Sequence, residues 1–257
     1  MISTNILELL GVPSVTLIIG KRGSGKSSLG HKVLELAKEK GLSPYLLGFP
    51  EEKSMSIPSY ITLTNSLDEI PDNAAVFLDE SYMYLFSRES FSNFNKAMAK
   101  FIGVSRQKNI LLVFATHLTR KLDVSCIYDA DNLIFRQPSY LHLKFEREEI
   151  KSYIHDAADF FSSLDADPRR YAYIVTEKGV VKIEVELPSY WSEDISKSFS
   201  GISFGEKKLK QKYKPERCYK CRVRTEEYLV SGDTPFCFKC AEEIGNKLLW
   251  SFPEAIL

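Results

Sequence analysis

The sequence has neither a net charge nor a long apolar run. The first absence bears on its partners, and the second bears on whether it crosses a membrane. Its 34 lysines and arginines balance 34 aspartates and glutamates, so the overall charge points to no particular partner. No apolar stretch approaches the roughly 18–20 residues that cross a bilayer, and residues 1–5 lack the basic start of a secretory signal. We therefore expect a cytoplasmic protein with no membrane span of its own.

Cysteine is scarce, and its placement argues against a disulfide framework. The chain has five cysteines, of which Cys126 stands alone and is expected to be a small buried apolar residue. The other four form two Cys-x-x-Cys pairs around the interval 222–236, a spacing typical of zinc sites in a reducing compartment. Four thiolates suit a closed tetrahedral Zn²⁺ site, with an iron–sulfur cluster or disulfides as alternatives. The predicted ligands are Cys218, Cys221, Cys237 and Cys240.

Short, nearly continuous apolar runs predict an α/β fold with a parallel sheet. Such runs occupy 15–19, 45–49, 75–78 and 110–115, and the segments between them are long enough for crossover helices. A further strand is expected at 131–136. Segments 171–176 and 180–187 alternate in polarity around a glycine turn, which predicts a hairpin.

A phosphate-binding motif follows the first of these runs. Gly20 to Ser27 match G-x-x-x-x-G-K-[ST] between a predicted strand and a predicted helix, where backbone N–H groups can cradle phosphates. We expect Lys26 to reach the β- and γ-phosphates of ATP and the Ser27 hydroxyl to bind Mg²⁺. An ordinary glycine-rich turn is the alternative. The predicted nucleotide-binding residues are Gly20, Lys21, Arg22, Gly23, Ser24, Gly25, Lys26, Ser27, Ser28 and Asp79.

An acidic pair, Asp79 and Glu80, ends the apolar run 75–78. Open α/β sheets bind their ligands at the carboxyl ends of their strands, so this pair is expected beside the phosphate loop. Asp79 suits the outer sphere of Mg²⁺, and Glu80 suits a general base that polarises the attacking water. A solvated turn is the alternative.

Motifs downstream of the acidic pair carry a family resemblance. A basic cluster, Arg-Gln-Lys at 106–108, precedes the run that ends in Thr116 and His117, and Asp-Asn-Leu-Ile-Phe-Arg stands at 131–136. Together with the Leu-Pro, Trp and Ser residues of 187–196, these segments resemble the FtsK/HerA superfamily of DNA-pumping ATPases, closest to its Zot-like and viral genome-packaging branches. Gln107 replaces the usual histidine, and Thr116-His117 stands where many relatives carry glutamine.

The resemblance implies a fold and further site residues. It implies an additional-strand, RecA-like parallel sheet of the P-loop NTPase class, and Thr116 or His117 as the sensor of the γ-phosphate. Arg106, or else Arg88, would be the finger that reaches a neighbouring subunit's phosphate. Apolar periodicity is lost after Pro188, so we place the ATPase domain at 1–205 and a basic linker with a zinc-ribbon-like module at 206–257.

The implied function is a homo-oligomeric ring, a hexamer, that hydrolyses ATP to translocate double-stranded DNA, as in viral genome packaging, with a capsid or membrane-embedded viral protein as a further partner. An ATPase that drives assembly or extrusion of a virus or phage particle is one alternative. A zinc-dependent DNA-binding protein with a regulatory nucleotide site is another. Small-molecule kinases share the phosphate loop but lack the Asp-Glu strand ending.

A basic strip near the zinc pattern could contact DNA phosphates or could be a solvated linker. The strip comprises Lys207, Lys208, Lys210, Lys212, Lys214, Arg217, Lys220, Arg222 and Arg224, with Tyr213 and Tyr219 between them. The remaining histidines, His31, His142 and His155, lie outside every motif, and we expect no chemistry from them.

Overall fold

The computed structural model describes residues 5–79, 88–121, 125–200, 216–225, 228–231 and 234–245. The chain divides into two compact units, Met1–Ile202 and Ser203–Leu257. The predicted boundary between 205 and 206 lies outside the described residues, so that division stays a prediction. Within the described ranges, no helix is both long and apolar enough to span a bilayer.

A single sheet in the first unit contains eight strands: β1 (Ser14–Ile19), β2 (Ser43–Leu47), β3 (Thr62–Thr64), β4 (Ala74–Asp79), β5 (Leu111–Thr116), β6 (Asn132–Phe135), β7 (Tyr171–Thr176) and β8 (Gly179–Glu184). Their order is β3-β2-β4-β5-β1-β6-β7-β8. Strands β1 to β6 pair in parallel, and the β7–β8 hairpin adds two antiparallel strands. The predicted α/β class and hairpin are confirmed.

The helices of this unit are α1 (Ile6–Leu10), α2 (Lys26–Glu39), α3 (Arg88–Ser105), α4 (Ser125–Tyr128), α5 (Tyr140–Phe145), α6 (Glu148–Ser162) and α7 (Glu193–Ser196). Short 3₁₀ turns lie at Glu51–Ser56, Leu67–Glu69, Thr119–Lys121 and Pro168–Arg170.

Two hydrophobic cores lie on opposite faces of the sheet, because side chains alternate along each strand. On β1, Leu17 and Ile19 pack with residues of α3 and α6, whereas Ile18 packs with residues of α2. All six residues of β1 and of β5 are buried. Strands covered on both faces cannot alternate apolar and polar residues, which is why the sequence shows them as continuous apolar runs.

Strand β5 is inserted between β1 and β4. In register, Leu111 lies beside Ser14 on one side and beside Ala75 on the other. This is the additional strand that the predicted fold class requires, and that prediction is confirmed. Because β1, β4 and β5 are parallel, the segments that follow them all leave the sheet at one edge. The phosphate loop, the acidic pair and His117 therefore belong to the same edge.

In the described residues of the second unit there are four short strands and one helix: β9 (Glu216–Arg217), β10 (Arg224–Thr225), β11 (Leu229–Ser231), β12 (Thr234–Phe236) and α8 (Phe238–Ile244). Strand β9 pairs with β10, and β11 pairs with β12. Among the described residues of this unit, the buried core cluster consists of Cys218, Phe236, Cys240 and Ala241. So small a core gives little hydrophobic stabilisation.

Helix α2 lies against β4 at Gly30. A Cβ atom placed on Gly30 would lie 2.2 Å from two ring carbons of Phe77, which is itself fully buried. The ring cannot move away without disturbing its packed neighbours, so only glycine allows this approach of helix to sheet. Gly103, in α3, has no atom within 4 Å of such a Cβ.

Gly30→Ala should therefore destabilise the first unit by about 2 kcal/mol or more through overpacking. Gly103→Ala, the matched helical control, should be neutral or stabilising by up to about 1 kcal/mol, because alanine favours helix over glycine. Urea unfolding followed by circular dichroism measures both. Equal losses of stability in the two variants would contradict the close contact with Phe77.

Candidate functional site

The phosphate loop joins β1 to α2 in a conformation that depends on glycine. Gly23 and Gly25 have φ angles of 72° and 86°, in the left-handed region that side chains disfavour. The Gly25 carbonyl accepts the hydrogen bond from the Leu29 amide that begins α2. The first N–H groups of a helix have no partner within it, so this loop and helix end form a site for an anion.

Lys26 lies inside the curve of the loop. Its Nζ donates to the carbonyl oxygens of Gly20, at 2.9 Å, and of Lys21, at 3.1 Å. The ammonium thus lies against the loop backbone, and its contact with the β- and γ-phosphates stays a prediction. A phosphate oxygen entering the loop would offer it a charged acceptor, which binds an ammonium more strongly than a carbonyl does.

Two predicted magnesium ligands lie around one small cavity. Ser27, in the first turn of α2, and Asp79, the last residue of β4, both line a space of about 220 Å³. Mg²⁺ prefers oxygen ligands and keeps several waters, so a hydroxyl and a carboxylate on one cavity suit it. Glu80 and the side chain of Arg88 lie outside the described residues, and their roles stay predictions.

The end of β5 brings one of its two predicted sensors to the loop. The hydroxyl of Thr116 is turned inward and donates to the Leu118 carbonyl at 3.0 Å. His117 points the other way, with Nδ1 3.1 Å from the Gly20 carbonyl oxygen. Of the two candidates, His117 is the one that contacts the phosphate loop, and its role as a sensor stays a prediction.

His142, for which the sequence suggested no chemistry, is the neighbour of His117. Its Nε2 lies 3.2 Å from Nδ1 of His117, and the two rings cross at 67°. His142 is 1% exposed, and burial, together with smaller electrostatic effects of His117 and Lys26, lowers its pKa to about 4. It is therefore a neutral imidazole at pH 7. Its position at the start of α5, 25 residues from His117, left no pattern in the sequence.

A buried arginine that directly follows β6 donates a hydrogen bond to the phosphate loop. Arg136 is 2% exposed, and its Nε donates to the Ser24 carbonyl at 3.0 Å, while Nη2 donates to the carbonyl of Arg169. Burial lowers the pKa of Arg136 to about 10, with Asp167 opposing the shift, so the guanidinium stays charged near pH 7. From the sequence, Arg136 is predicted only as the end of a strand, and its contact with the phosphate loop is not predicted. A charged residue that ends an apolar strand was the available clue.

A larger cavity of about 680 Å³ opens beside the loop. Its volume falls in the range of sites that hold small molecules, about 300–1,000 Å³. Phosphate-loop residues form one wall, and the opposite wall comes from the β7–β8 region and the segment after it. The lining residues are Gly23, Gly25, Lys26, Ser27, Ser28, Asp167, Arg169, Arg170, Glu184, Val185, Glu186, Leu187, Trp191 and Ser196.

Arg106, by contrast, lies at the opposite edge of the sheet from the loop. It follows α3 and precedes β5, whose first residue, Leu111, pairs with Ser14 at the start of β1. The phosphate loop begins at the other end of β1, about 20 Å away for six residues at about 3.3 Å each. Arg106 therefore cannot reach the loop of its own chain. Its predicted role toward a neighbouring subunit stays a prediction.

The four predicted zinc ligands come together in the second unit. The sulfur atoms of Cys218, Cys221, Cys237 and Cys240 all lie within 4.8 Å of one another. The Cys221 and Cys237 sulfurs are 3.7 Å apart, which matches the edge of about 3.8 Å of a tetrahedron with Zn–S bonds of about 2.3 Å. The residues present thus fit a zinc ion.

The environment of Cys218 favours a thiolate. Burial would raise the pKa of this thiol, but hydrogen bonds from the N–H groups of Cys221, Cys237 and Lys220 lower it to about 6. Thiolates are the form that binds metal. Arg222 adopts a left-handed φ of 63° in the turn after the first pair.

Part of the predicted basic strip is described. Residues 207–214 lie outside the described part of the chain, whereas Arg217, Lys220, Arg222 and Arg224 are exposed. Lys220 forms an ion pair with Glu243 at 2.7 Å, and the Arg222 guanidinium lies 5.6 Å from the ring centre of Tyr219. Contact of this strip with DNA stays a prediction.

Comparison with known proteins gives similarities of fold. No family model and no curated protein matches the sequence. The DNA-packaging ATPase B204 from Sulfolobus turreted icosahedral virus is 16% identical at a TM-score of 0.47, over 67% of this chain and 98% of its own. The pCW3 conjugation coupling protein TcpA is 12% identical at a TM-score of 0.49, over 70% of this chain and 62% of its own. EssC (ATPases 2 and 3) from Geobacillus thermodenitrificans is 14% identical at 0.44, over 70% and 40%.

The structures that this chain is similar to are thus a viral DNA-packaging ATPase, a conjugation coupling protein and the ATPases of EssC, which are the kind of protein that the sequence resemblance predicted. It spans less than two thirds of the TcpA and EssC chains. At these identities the similarity concerns the fold and not the activity.

The cysteine cluster yields a test of its own. Because metal binding supplies folding free energy that the small core lacks, wild-type protein should carry one zinc ion per chain, and Cys221→Ser should lose it and unfold the second unit. Cys126→Ala, the control, removes a buried thiol of the first unit and should leave the zinc content unchanged. Metal analysis and limited proteolysis measure the two effects. A folded second unit in metal-free wild-type protein would contradict the zinc assignment.

Proposed function

We propose that this protein is an ATPase whose triphosphate binds in the loop between β1 and α2. The observation that carries the proposal is the loop itself, with two left-handed glycines, a helix N-terminus that no side chain caps and the Lys26 ammonium held inside its curve. These are the groups that neutralise and orient a chain of phosphates. The 680 Å³ cavity beside the loop has room for the nucleoside.

Each residue of the site has a distinct proposed task. Lys26 compensates the charge of the β- and γ-phosphates, and Ser27 and Asp79 would hold the Mg²⁺ ion, which supplies further charge compensation. Glu80 accepts a proton from the attacking water as the water oxygen bonds to the γ-phosphorus. The bond from that phosphorus to the β–γ bridging oxygen breaks, and ADP and inorganic phosphate leave.

The proposed specific role is movement of double-stranded DNA by a ring of such subunits. The FtsK/HerA-like motifs of the sequence support this role. The position of Arg106 also supports a ring. Because Arg106 lies at the far edge of the sheet from its own phosphate loop, a phosphate that it contacts would belong to a neighbouring subunit. The basic residues near the cysteine cluster are proposed to contact DNA phosphates, whose binding would weaken with added salt.

Lys26→Ala and Glu80→Gln separate binding from hydrolysis. Loss of the ammonium should weaken Mg·ATP binding about tenfold to a hundredfold, because hydrogen bonds to charged groups are lost. Glu80→Gln should keep binding and lower turnover by about 10²–10⁴, because the base is gone. Calorimetric titration and phosphate release measure the two effects.

Equal loss of binding in both variants would contradict this division of roles. The proposed DNA translocation is tested by two measurements. The phosphate-release assay is repeated with double-stranded DNA, and the mass of the particle is measured in solution. Stimulation by DNA in a ring-sized particle supports translocation. A phosphate-release rate that is the same with and without double-stranded DNA would favour the particle-assembly role instead.

A further inference from the structure

The segment 187–196, whose Leu-Pro, Trp and Ser residues carry part of the FtsK/HerA-like resemblance, has no task in the proposed hydrolysis. Three of its residues, Leu187, Trp191 and Ser196, line the 680 Å³ cavity whose other wall is the phosphate loop. We propose that Leu187 and Trp191 form the site for the nucleobase of the bound triphosphate, with Leu187 in contact with the face of the base. The inference rests on the proposed function, because it places the phosphates in the loop.

The charges around the cavity decide which end of a nucleotide lies where. On the wall opposite the loop, both arginines are already in ion pairs: Arg169 with Asp167 at 2.8 Å, and Arg170 with Glu184. Glu186 adds another carboxylate, so the described residues of this wall carry three formal negative charges against two positive ones. The loop instead offers an ammonium and the N–H groups of an uncapped helix end. Phosphates therefore favour the loop, and the nucleoside is left to the opposite wall.

The apolar part of that wall lies in one short stretch of chain. Among the described lining residues, the apolar side chains are those of Val185, Leu187 and Trp191. Val185 and Trp191 pack against the hydrophobic core between α2 and the sheet, whereas Leu187 is 60% exposed. Contact with the flat face of a base would remove apolar surface of Leu187 from water, which favours binding.

Helix α2 holds this segment in place. The N–H and the hydroxyl of Ser189 both donate to the Glu35 carboxylate, the N–H at 2.8 Å. The Tyr190 hydroxyl donates to the His31 carbonyl at 3.1 Å. The ring of Trp191 crosses that of His31 at 66°, with 5.5 Å between the ring centres. Leu187 is thus close in sequence to three residues that are fixed on the helix.

The same helix begins at the phosphate loop, so it relates the two ends of the ligand. His31 and Glu35 follow Lys26 by five and nine residues, which is about 8 and 14 Å along the helix at about 1.5 Å per residue. The base site and the phosphate site are therefore built on one rigid element. Such preorganisation lowers the cost of ordering the site when the ligand binds.

Inorganic tripolyphosphate separates the base site from the phosphate site, because it carries phosphates alone. Leu187→Ala should weaken binding of a slowly hydrolysed Mg·ATP analogue about tenfold, because less apolar surface is buried against the base, and should leave Mg·tripolyphosphate binding unchanged. Leu187→Met, which keeps the apolar bulk, should bind both ligands as the wild type does. Lys26→Ala should weaken both, and the control Val180→Ala, at an exposed apolar site near the other end of β8, should weaken neither. Calorimetric titration measures all of these affinities.

Trp191 gives a second readout. The chain has two tryptophans, so Trp250→Phe leaves Trp191 as the only source of tryptophan emission. The ATP analogue should change that emission more than tripolyphosphate does, because only the analogue carries a base.

Equal losses of affinity for the two ligands in Leu187→Ala, or no loss for either, would overturn the proposal, and so would equal changes of Trp191 emission. The proposed function fails by a different result. Wild-type protein that binds neither ligand, or Lys26→Ala protein that binds both as tightly as the wild type, would contradict the phosphate site itself.

Discussion

The phosphate loop depends on a buried arginine that is distant in the sequence but follows β6, the strand paired with β1. Arg136 donates to the Ser24 carbonyl and lies so close to Gly25 that a Cβ there would be 2.6 Å from Nη2. A buried guanidinium is costly unless it is hydrogen-bonded, and Arg136 has bonds at Nε and Nη2 but, among the described residues, none at Nη1. The bond to Ser24 therefore ties the loop and the arginine to each other. The conformation of the phosphate loop is therefore held by hydrogen bonds from two side chains. Arg136 donates to the Ser24 carbonyl, and Lys26 donates to the Gly20 and Lys21 carbonyls.

Sheet topology then decides which residues join the loop. Because β5 is inserted between β1 and β4, His117 and Asp79 emerge on the same side of the same sheet edge as Gly20. The result is a site in which the Lys26 ammonium and the N–H groups of the α2 N-terminus share one sheet edge with the Asp79 carboxylate. The same topology places Arg106 at the opposite edge, before β5 begins. The rule that the carboxyl ends of parallel strands share one sheet edge therefore explains why Asp79 and His117 lie beside the loop and Arg106 does not.

The sequence predicts what depends on short-range pattern. Buried strands appeared as apolar runs, the phosphate loop as a motif in strand–helix context, and the cysteine cluster as a spacing. Strand β3 was missed because Thr62–Thr64 is short and partly polar, and β2 ends at Leu47, before the predicted 49, because Gly48 turns with a φ of 78°. His142 and Arg136 were missed as site residues because the contact of Arg136 with Ser24 spans 112 positions, which only the folded sheet brings together.

Hydrogen exchange of the loop amides is the most direct test of the central claim that this preformed loop cradles a triphosphate. Exchange is measured by mass spectrometry with and without Mg²⁺ and a slowly hydrolysed ATP analogue. The amides of residues 20–28 should exchange more slowly when the analogue is bound, because their N–H groups then donate to phosphate oxygens. Helix α6, on the other face of the sheet from α2, should be unaffected. Unchanged exchange at 20–28 under saturating analogue would contradict the account.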